Sequence, residues 1–303
     1  MQLCSVSVDL DEIACYAAIH GLDLGNECHA VYDLALGRMS EFAASLDLPL
    51  TLFVVARDLE RAQNASALRQ AISAGHEVGN HSLDHFYDLT LRAPAEQAQQ
   101  VVEASRRIET RLGVKPRGFR APGYNMTDAL FTLLQASEFS YDSSVFPCPA
   151  YYTAKATTLL AMKVVKRVSR SVLGNPNVLR APTTPYRAGV PYWTRGTGLL
   201  EMPIQVAGPL RLPFIGTSLS LLGASGARLL TRSLLGVPFV NLELHGIDFL
   251  DERDVPKSLR AVQPDLRVPV SHKLNALGAA LETLRARGYA FLRLDQAAAV
   301  FRA

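Results

Sequence analysis

Short groups of acidic, histidine and arginine residues give this chain the means to bind a metal ion and to transfer protons. Asp9 and Asp11 are separated by one residue, so an extended backbone turns both carboxylates to the same side. Two carboxylates held that close either share a cation or differ in pKa. His81 and His85 are four residues apart, and on a helical turn this spacing lets two imidazoles reach one metal ion. For each motif, the simpler alternative is that the two side chains have only a structural role.

Arg120 and His245 are two further candidates. Arg120 begins an Arg-Ala-Pro-Gly-Tyr turn that can leave the backbone N–H near Tyr124 exposed, and His245 ends the β-rich run Phe239–His245. A carboxylate with two imidazoles suits zinc or another first-row metal, and the same set also occurs in non-haem iron oxygenases. The residues alone therefore leave more than one reaction class open.

Alternating strands and helices must position these residues. Strands are predicted at Leu3–Val8, Thr51–Ala56, His76–His81, Gly118–Pro122, Phe239–His245 and Ala290–Leu294. Amphipathic helices are predicted at Val31–Leu46, Ala65–Ser73, Ala95–Leu112, Thr127–Ser137 and His272–Arg287. This order is typical of an α/β fold with a mostly parallel sheet, where the carboxyl ends of the strands carry the chemistry. It disfavours the cupin-like β scaffold of iron oxygenases.

Five motifs, taken in order, resemble those of the polysaccharide deacetylase family, which is carbohydrate esterase family four with its NodB-homology domain. They are SVDLDE (Ser7–Glu12), GHEVGNHSLDH (Gly75–His85), FRAPGY (Phe119–Tyr124), YDSS (Tyr141–Ser144) and LELH (Leu242–His245). The resemblance covers residues 5–142 and returns at 239–294. It implies a distorted (β/α) barrel in a single domain, 1–303, with a basic, apolar insertion at about 150–238. The Asp-x-Asp form of the first motif resembles a branch that contains cytoplasmic amide hydrolases and lipid-linked aminosugar deformylases.

The resemblance also implies a metal centre and an activity. Asp11, His81 and His85 are expected to bind one divalent ion, with Zn²⁺ expected first and Co²⁺, Ni²⁺, Mn²⁺ or Fe²⁺ as alternatives. The implied reaction is hydrolysis of an N-acetyl or N-formyl amide on an aminosugar. A catalytically silent sugar- or lipid-binding protein of the same fold, and a deacetylase of a small soluble amide, are the alternatives.

The remaining motif residues receive catalytic roles by the same resemblance. Asp9 is expected to be the general base, and Arg120 is expected to keep Asp9 ionised and oriented. His245 is expected to protonate the leaving amine, a task that suits a group with an unperturbed pKa of about 6.5. The backbone N–H near Tyr124 is expected to help bind the oxyanion.

Charge is distributed very unevenly along the chain, although the net charge is only +3. Residues 1–142 carry a net charge of −8, residues 143–242 carry +10 with Glu201 as their one acid, and residues 243–303 carry +1. A helix predicted over Lys155–Leu173 groups four cations on one face, Lys163, Lys166, Arg167 and Arg170. Such a helix either lies on an anionic membrane surface or packs its apolar face on the barrel.

A second stretch, Leu212–Ala227, has no charge and is rich in Leu, Ser and Gly. It is too short to span a bilayer and is expected to form a hairpin, a groove wall or core. With the basic segment, it favours a substrate that has both a phosphate and a lipid, such as a polyprenyl-phosphate-linked N-acylated sugar. No nucleic-acid partner is expected, because apolar residues and prolines interrupt the cations.

The composition of 303 residues, 49% hydrophobic and 19% charged, excludes collagen-like, disordered and disulfide-scaffold classes. Four scattered cysteines predict a reducing compartment. The start of the chain lacks a basic region followed by an apolar core, so we expect a cytoplasmic protein that can bind the inner membrane face. The oligomeric state is not indicated.

Overall fold

A curled sheet forms the centre of the computed structural model, which describes residues 2–22, 24, 28–164, 169 and 171–302. The strands are β1 (Leu3–Asp9), β2 (Leu50–Val54), β3 (Glu77–Asn80), β4 (Gly118–Phe119), β5 (Tyr141–Asp142), β6 (Tyr186–Ala188), β7 (Arg195–Glu201), β8 (Val206–Ala207), β9 (Leu212–Pro213), β10 (Phe239–His245) and β11 (Ala290–Phe291). The main sheet has the order β10-β1-β2-β3-β4-β5-β7-β6, and β11 also pairs with β1. Only β6 runs antiparallel to its neighbour among these pairings.

The two ends of the sheet approach each other through the segment that follows β7. The Gln205 N–H donates to the Asn241 carbonyl of β10 at 3.0 Å. The Asn241 side-chain amide in turn donates to the Met202 and Pro203 carbonyls at 3.0 and 3.2 Å. These bonds curl the sheet into a half-barrel, and the predicted distorted barrel is thereby confirmed.

Helices pack around this sheet. They are α1 (Ile13–Ile19), α2 (Leu36–Ser45), α3 (Ala62–Ser73), α4 (Pro94–Leu112), α5 (Asp128–Ala136), α6 (Pro149–Val164), α7 (Gly216–Arg232), α8 (Lys257–Val262), α9 (Val270–Arg285) and α10 (Leu294–Arg302). A π-helical turn, Val31–Ala35, leads directly into α2. β1 is buried along its whole length, because β10 and β2 flank its two edges and both of its faces are covered, as is usual in parallel sheets.

Most predicted elements exist, but several strands are shorter than predicted. β3 ends at Asn80 and β4 at Phe119, whereas the predicted strands continued through His81 and Pro122. At both places the backbone leaves the sheet and forms a loop at its carboxyl edge, where side chains must turn toward one another. The predicted strand at 290–294 ends at Phe291, because α10 begins at Leu294.

The helix predicted over Lys155–Leu173 begins earlier and ends sooner in the described residues. α6 covers Pro149–Val164, and residues 169 and 171–175 are not helical. Lys163 is exposed on α6, whereas Lys166, Arg167 and Arg170 lie outside the described residues. Met162 is the buried residue of α6, while Leu160 and Val164 are 63% and 74% exposed. The described part of this helix therefore does not bury a broad apolar face against the barrel.

The segment predicted as an insertion, 150–238, contributes two strands to the main sheet. β7 pairs with β5, so that Tyr141 lies beside Leu200 and Asp142 beside Glu201. The uncharged stretch 212–227 forms β9 and the first part of α7, with Leu219 buried and Leu221 exposed. Within the described residues, no helix has the length and hydropathy needed to cross a membrane.

Glu77 has a buried carboxyl group. It begins β3 and so lies at the end of the strand opposite to the carboxyl edge of the sheet. It accepts hydrogen bonds from the hydroxyls of Thr51 (2.7 Å) and Tyr141 (2.8 Å) and from the Asp295 N–H (3.0 Å). Burial, assisted by the charge of Asp295, raises the pKa of Glu77 from 4.5 to about 7. The folded protein therefore retains a proton here that the unfolded chain releases at lower pH.

We predict that Glu77 lowers the free energy of unfolding as the pH rises from about 5 to 8, because its folded-state pKa is raised. The shift corresponds to at most about 3 kcal/mol. Glu77→Gln should remove this contribution, measured as the difference between urea unfolding free energies at the two pH values. The same change at exposed Glu109 on α4 is the control. A variant Glu77→Gln with the parent's pH slope would contradict the prediction.

Candidate active site

Three predicted metal ligands meet at the carboxyl edge of the sheet. Asp11 follows β1, and His81 and His85 follow β3. Asp11 Oδ1 lies 3.0 Å from His81 Nε2, and Asp11 Oδ2 lies 3.1 Å from His85 Nε2. All three side chains are buried, and their candidate ligand atoms lie within 4.8 Å of one another. The arrangement can hold one metal ion.

The two histidines meet through a loop, and the predicted helical turn between them is wrong. Residues 81–85 are not helical, and Ser82 and His85 have positive φ angles of 67° and 55°. The Ser82 N–H donates to Asn80 Oδ1 at 2.8 Å, and the His85 N–H donates to Ser82 Oγ at 3.0 Å. Side chains thus replace helical hydrogen bonds and fix two left-handed residues, a conformation that costs free energy and often occurs at functional sites.

The polar atoms of this cluster fit a divalent cation. His81 Nδ1 lies 2.8 Å from the Arg120 carbonyl, which can only accept, so Nδ1 carries the proton and Nε2 keeps a lone pair toward Asp11. Asp11 Oδ1 and His85 Nε2 are buried without a hydrogen-bond partner. Unpartnered buried polar atoms are costly, and a metal ion would satisfy both. One carboxylate with two imidazoles is a donor set of catalytic zinc and of other first-row metals.

The pKa of Asp11 also suits a metal ligand. Burial alone would raise the pKa of Asp11, but the neighbouring imidazoles of His85 and His81 hold that pKa well below its usual range. The carboxylate is therefore ionised, as a metal ligand must be.

Asp9 is fixed by a fully buried arginine. Arg120 Nη1 donates to Asp9 Oδ1 at 2.7 Å. The other donors of Arg120 bind the Ser143 carbonyl at 2.7 Å and the Ser7 and Ser143 hydroxyls at 2.8 Å each. Its guanidinium also lies 4.2 Å from the centre of the Phe53 ring. The cation therefore cannot turn away from Asp9.

His245 lies between two carboxylates. Its Nδ1 is 2.9 Å from Glu243 Oε1, and its Nε2 is 4.0 Å from Asp9 Oδ2. Asp9, Glu243 and His245 are close enough together to be considered a second metal site. Glu243 lies beside Nδ1 and Asp9 beside Nε2, on opposite sides of the same imidazole ring. One metal ion therefore cannot bind this imidazole together with both carboxylates. The arrangement is better suited to proton transfer.

Glu243 is a site residue that the sequence analysis missed. It is fully buried on β10, and its charge raises the pKa of His245 well above 6.5, although burial alone would lower that pKa. The alternation of side chains along a strand places residues 243 and 245 on the same face. That alternation, applied to LELH, was the signal available in the sequence.

Tyr124 lies in the pocket, but its backbone N–H is already used. The N–H donates to the Ala121 carbonyl at 3.0 Å within the turn, so the predicted oxyanion donor has a partner. The Tyr124 hydroxyl is 3.3 Å from His245 Nε2. Its ring contacts those of Phe146 and Tyr151 edge-on, with centroids 5.7 and 5.5 Å apart.

Two more tyrosines that the sequence analysis did not single out complete the aromatic lining. The Tyr16 ring lies edge-on to His245 and the Tyr87 ring edge-on to His85, with centroids 6.0 and 4.7 Å apart. No recognised sequence pattern links these two tyrosines to the acidic and histidine motifs. Their position beside the histidines is therefore visible only in the folded structure. A cavity of about 710 Å³ lies elsewhere, between α5 and the β6–β7 hairpin, and contains none of these residues.

Comparison with known proteins agrees with this geometry. The family model for polysaccharide deacetylase matches residues 38–141. A chitooligosaccharide deacetylase from Bradyrhizobium sp. (strain ANU 289) is 35% identical over 102 residues, which are 33% of this chain and 45% of the relative. A peptidoglycan deacetylase from Helicobacter pylori (strain ATCC 700392 / 26695) is 24% identical over 148 residues, which are 47% of this chain and 49% of the relative. The chain thus spans about half the length of these curated relatives.

The fold comparison extends over nearly the whole chain. A solved structure from Mycobacterium smegmatis, named after the same family, superposes with a TM-score of 0.60 at 17% identity and covers 99% of this chain and 91% of that one. Residues 38–141 thus match the polysaccharide deacetylase family model, and the likeness in fold extends over nearly the whole chain. The family resemblance predicted from the motifs is confirmed, while assignment to the Asp-x-Asp branch stays a prediction.

We predict that metal binding depends on Asp11, His81 and His85. His85→Ala should weaken zinc binding by more than the roughly 10- to 100-fold that loss of an outer-shell partner costs. Isothermal titration of the metal-free protein with Zn²⁺ measures this, and His272→Ala, on the exposed face of α9, is the control. Parent-like zinc affinity in His85→Ala would show that the cluster is not the metal site.

Proposed function

We propose that the chain hydrolyses the N-acyl amide of an aminosugar with one divalent metal ion, Zn²⁺ in the first instance, bound by Asp11, His81 and His85. The observation that carries the proposal is the meeting of three units at one edge of the sheet. These are the possible metal ligands, the Asp9–Arg120 pair and the Glu243–His245 pair. The match of residues 38–141 to the polysaccharide deacetylase family model supports the reaction class.

The proposed mechanism assigns the first proton transfer to Asp9. A bound metal would polarise the acyl oxygen and lower the pKa of water toward about 7. Asp9 accepts the proton of the attacking water, since Arg120 holds Oδ1 at 2.7 Å and leaves Oδ2 directed to the pocket. Arg120 acts as a positioning residue, because its donors are committed to Asp9, Ser7 and Ser143.

His245 delivers the second proton, to the leaving amine. The Glu243 carboxylate next to Nδ1 favours the protonated ring, so Nε2 carries the proton that faces the pocket. The Tyr124 hydroxyl, 3.3 Å from Nε2, limits the tilt of the ring. Base and acid thus lie 4.0 Å apart, close enough to act in turn on one bound amide as it is hydrolysed through a tetrahedral intermediate.

An acetylated aminosugar is the proposed substrate class, with a formylated one as the alternative. The two relatives are named as deacetylases of chitooligosaccharide and of peptidoglycan, which supports an acetyl group on a sugar nitrogen. The D-x-D branch resemblance supports the alternative. A pocket edged by the Tyr124, Tyr151 and Phe146 rings offers apolar faces of the kind that pack against sugar rings.

We predict that Asp9→Asn lowers kcat/KM for deacetylation of N-acetylated chitooligosaccharide by about 100-fold or more. Amine release from the zinc-loaded protein measures this, with formylated sugar assayed in parallel. Asp47→Asn, at an exposed turn, is the matched control. Undiminished activity in Asp9→Asn would refute the assignment of the base. Sugar binding without amine release in the parent would favour the silent binding protein.

We further propose that the sugar is carried on an anionic lipid and that the protein works at the cytoplasmic membrane face. Segment 143–242 has a net charge of +10, and its single acid, Glu201, is fully buried. On α6 the exposed Leu160 and Val164 flank exposed Lys163. Exposed apolar side chains beside cations suit an anionic membrane surface. The cysteines Cys4, Cys15, Cys28 and Cys148 are all free, which suits a reducing compartment.

We predict flotation with vesicles that contain phosphatidylglycerol and much weaker flotation with pure phosphatidylcholine, because anionic lipid attracts the basic segment. Changing Lys163, Lys166, Arg167 and Arg170 to Glu should abolish flotation. The control changes four exposed cations elsewhere to Glu, namely Arg106, Arg111, Lys115 and Arg117. Absent flotation of the parent, or equal loss in both variants, would refute specific docking through this segment.

A further inference from the structure

The Tyr16 hydroxyl is buried without a hydrogen-bond partner among the described residues, on a side chain that packs against His245. Tyr16 belongs to α1, five residues after Asp11, and is 7% exposed. Its ring lies edge-on to His245, with centroids 6.0 Å apart. Its hydroxyl oxygen is buried and unpartnered among the described residues, whereas buried tyrosine hydroxyls are usually hydrogen-bonded.

Several donors around the pocket are already used. The Tyr124 N–H binds the Ala121 carbonyl, and the Ala121 N–H binds the Ser144 hydroxyl at 2.8 Å. The His245 N–H binds Asp248 Oδ2 at 2.9 Å. The donors of Arg120 are taken by Asp9, Ser7 and Ser143. The Tyr16 hydroxyl, which has no partner among the described residues, keeps its capacity to donate to a carbonyl oxygen that enters beside the metal ligands.

Tyr16 is also held in the protonated form. Burial, and then the negative charge of Asp11, raise the pKa of its phenol well above 10. A neutral hydroxyl in a dry site donates strongly to a developing negative charge, because no water competes and no reorganisation is needed.

We propose that the Tyr16 hydroxyl donates a hydrogen bond to the acyl oxygen of the bound amide and stabilises the oxyanion that forms there. This inference rests on the proposed function. The Tyr16 hydroxyl takes the role of oxyanion donor that the sequence assigned to the Tyr124 N–H. The proton stays on Tyr16 throughout, so no bond to Tyr16 forms or breaks. Because this hydrogen bond strengthens as negative charge develops on the acyl oxygen, it stabilises the transition state more than the bound substrate and so raises mainly kcat.

Tyr32 offers a matched control within the same chain. Its side chain is 6% exposed, belongs to the same hydrophobic core and also has an unpartnered buried hydroxyl. Burial, and then the charges of Asp58 and Glu12, raise the pKa of its phenol, whereas Asp11 is the first charge that acts on Tyr16. Loss of either hydroxyl leaves no polar group behind, so both Phe variants should be at least as stable as the parent.

The test compares zinc-loaded parent, Tyr16→Phe and Tyr32→Phe on N-acetylated chitooligosaccharide. We expect Tyr16→Phe to lower kcat by about 10- to 100-fold, with KM within about twofold of the parent, and Tyr32→Phe to match the parent. Titration with acetohydroxamic acid, whose carbonyl mimics the acyl oxygen, should give a Kd about 10-fold higher for Tyr16→Phe only. Zinc content and Tm should be unchanged.

Several results would overturn the inference. Parent-like kcat and acetohydroxamate affinity in Tyr16→Phe would exclude the hydrogen bond. Loss of zinc, or a fall in Tm, would make Tyr16 a metal-site or structural residue. An equal loss of kcat in Tyr32→Phe would show a general packing effect. A parent protein that releases no amine would refute the proposed function, and the acetohydroxamate titration would still decide the role of Tyr16.

Discussion

The buried ion pair between Arg120 and Asp9 is the interaction on which the rest of the site depends. Arg120 is completely buried and joins β1, through Asp9 and Ser7, to the loop after β5, through Ser143. Removing a guanidinium from water costs several kcal/mol unless its donors are paired. Here each of its nitrogens has a partner, so the pair is tolerated, and the same bonds align Asp9 with the pocket.

A second buried pair keeps the one acid of the middle segment inside the protein, away from the exposed cations of that segment. Asp142 and Glu201 are register partners on β5 and β7, and both are fully buried. Burial, and then the charge of Asp142, raise the pKa of Glu201 well above its usual value, so the pair retains a proton. The one acid of segment 143–242 is therefore neutral and internal, and it cannot screen the exposed cations of that segment.

The sequence predicted what depends on local pattern and on motif order. Buried strands such as Phe239–His245 and the long helix α4 follow from apolar periodicity, and the motifs indicated the family whose model matches residues 38–141. Long-range contacts could not be predicted in this way. Whether His81 and His85 meet through a helix or a loop depends on Asn80 and Ser82 side-chain bonds. Whether the Tyr124 N–H is free depends on the turn it closes with Ala121.

Opposite environments of two neighbouring groups account for the division of labour in the pocket. Asp9 is held in place by a permanent cation, Arg120, which binds one of its two carboxylate oxygens. His245 faces a buried carboxylate, Glu243, which favours the imidazolium and so a proton donor. A positioned carboxylate beside a positioned imidazolium is the arrangement that acid–base catalysis requires. The 4.0 Å between Asp9 Oδ2 and His245 Nε2 lets both groups act on one bound amide, and the half-barrel keeps them there because β1 and β10, which carry them, are adjacent strands.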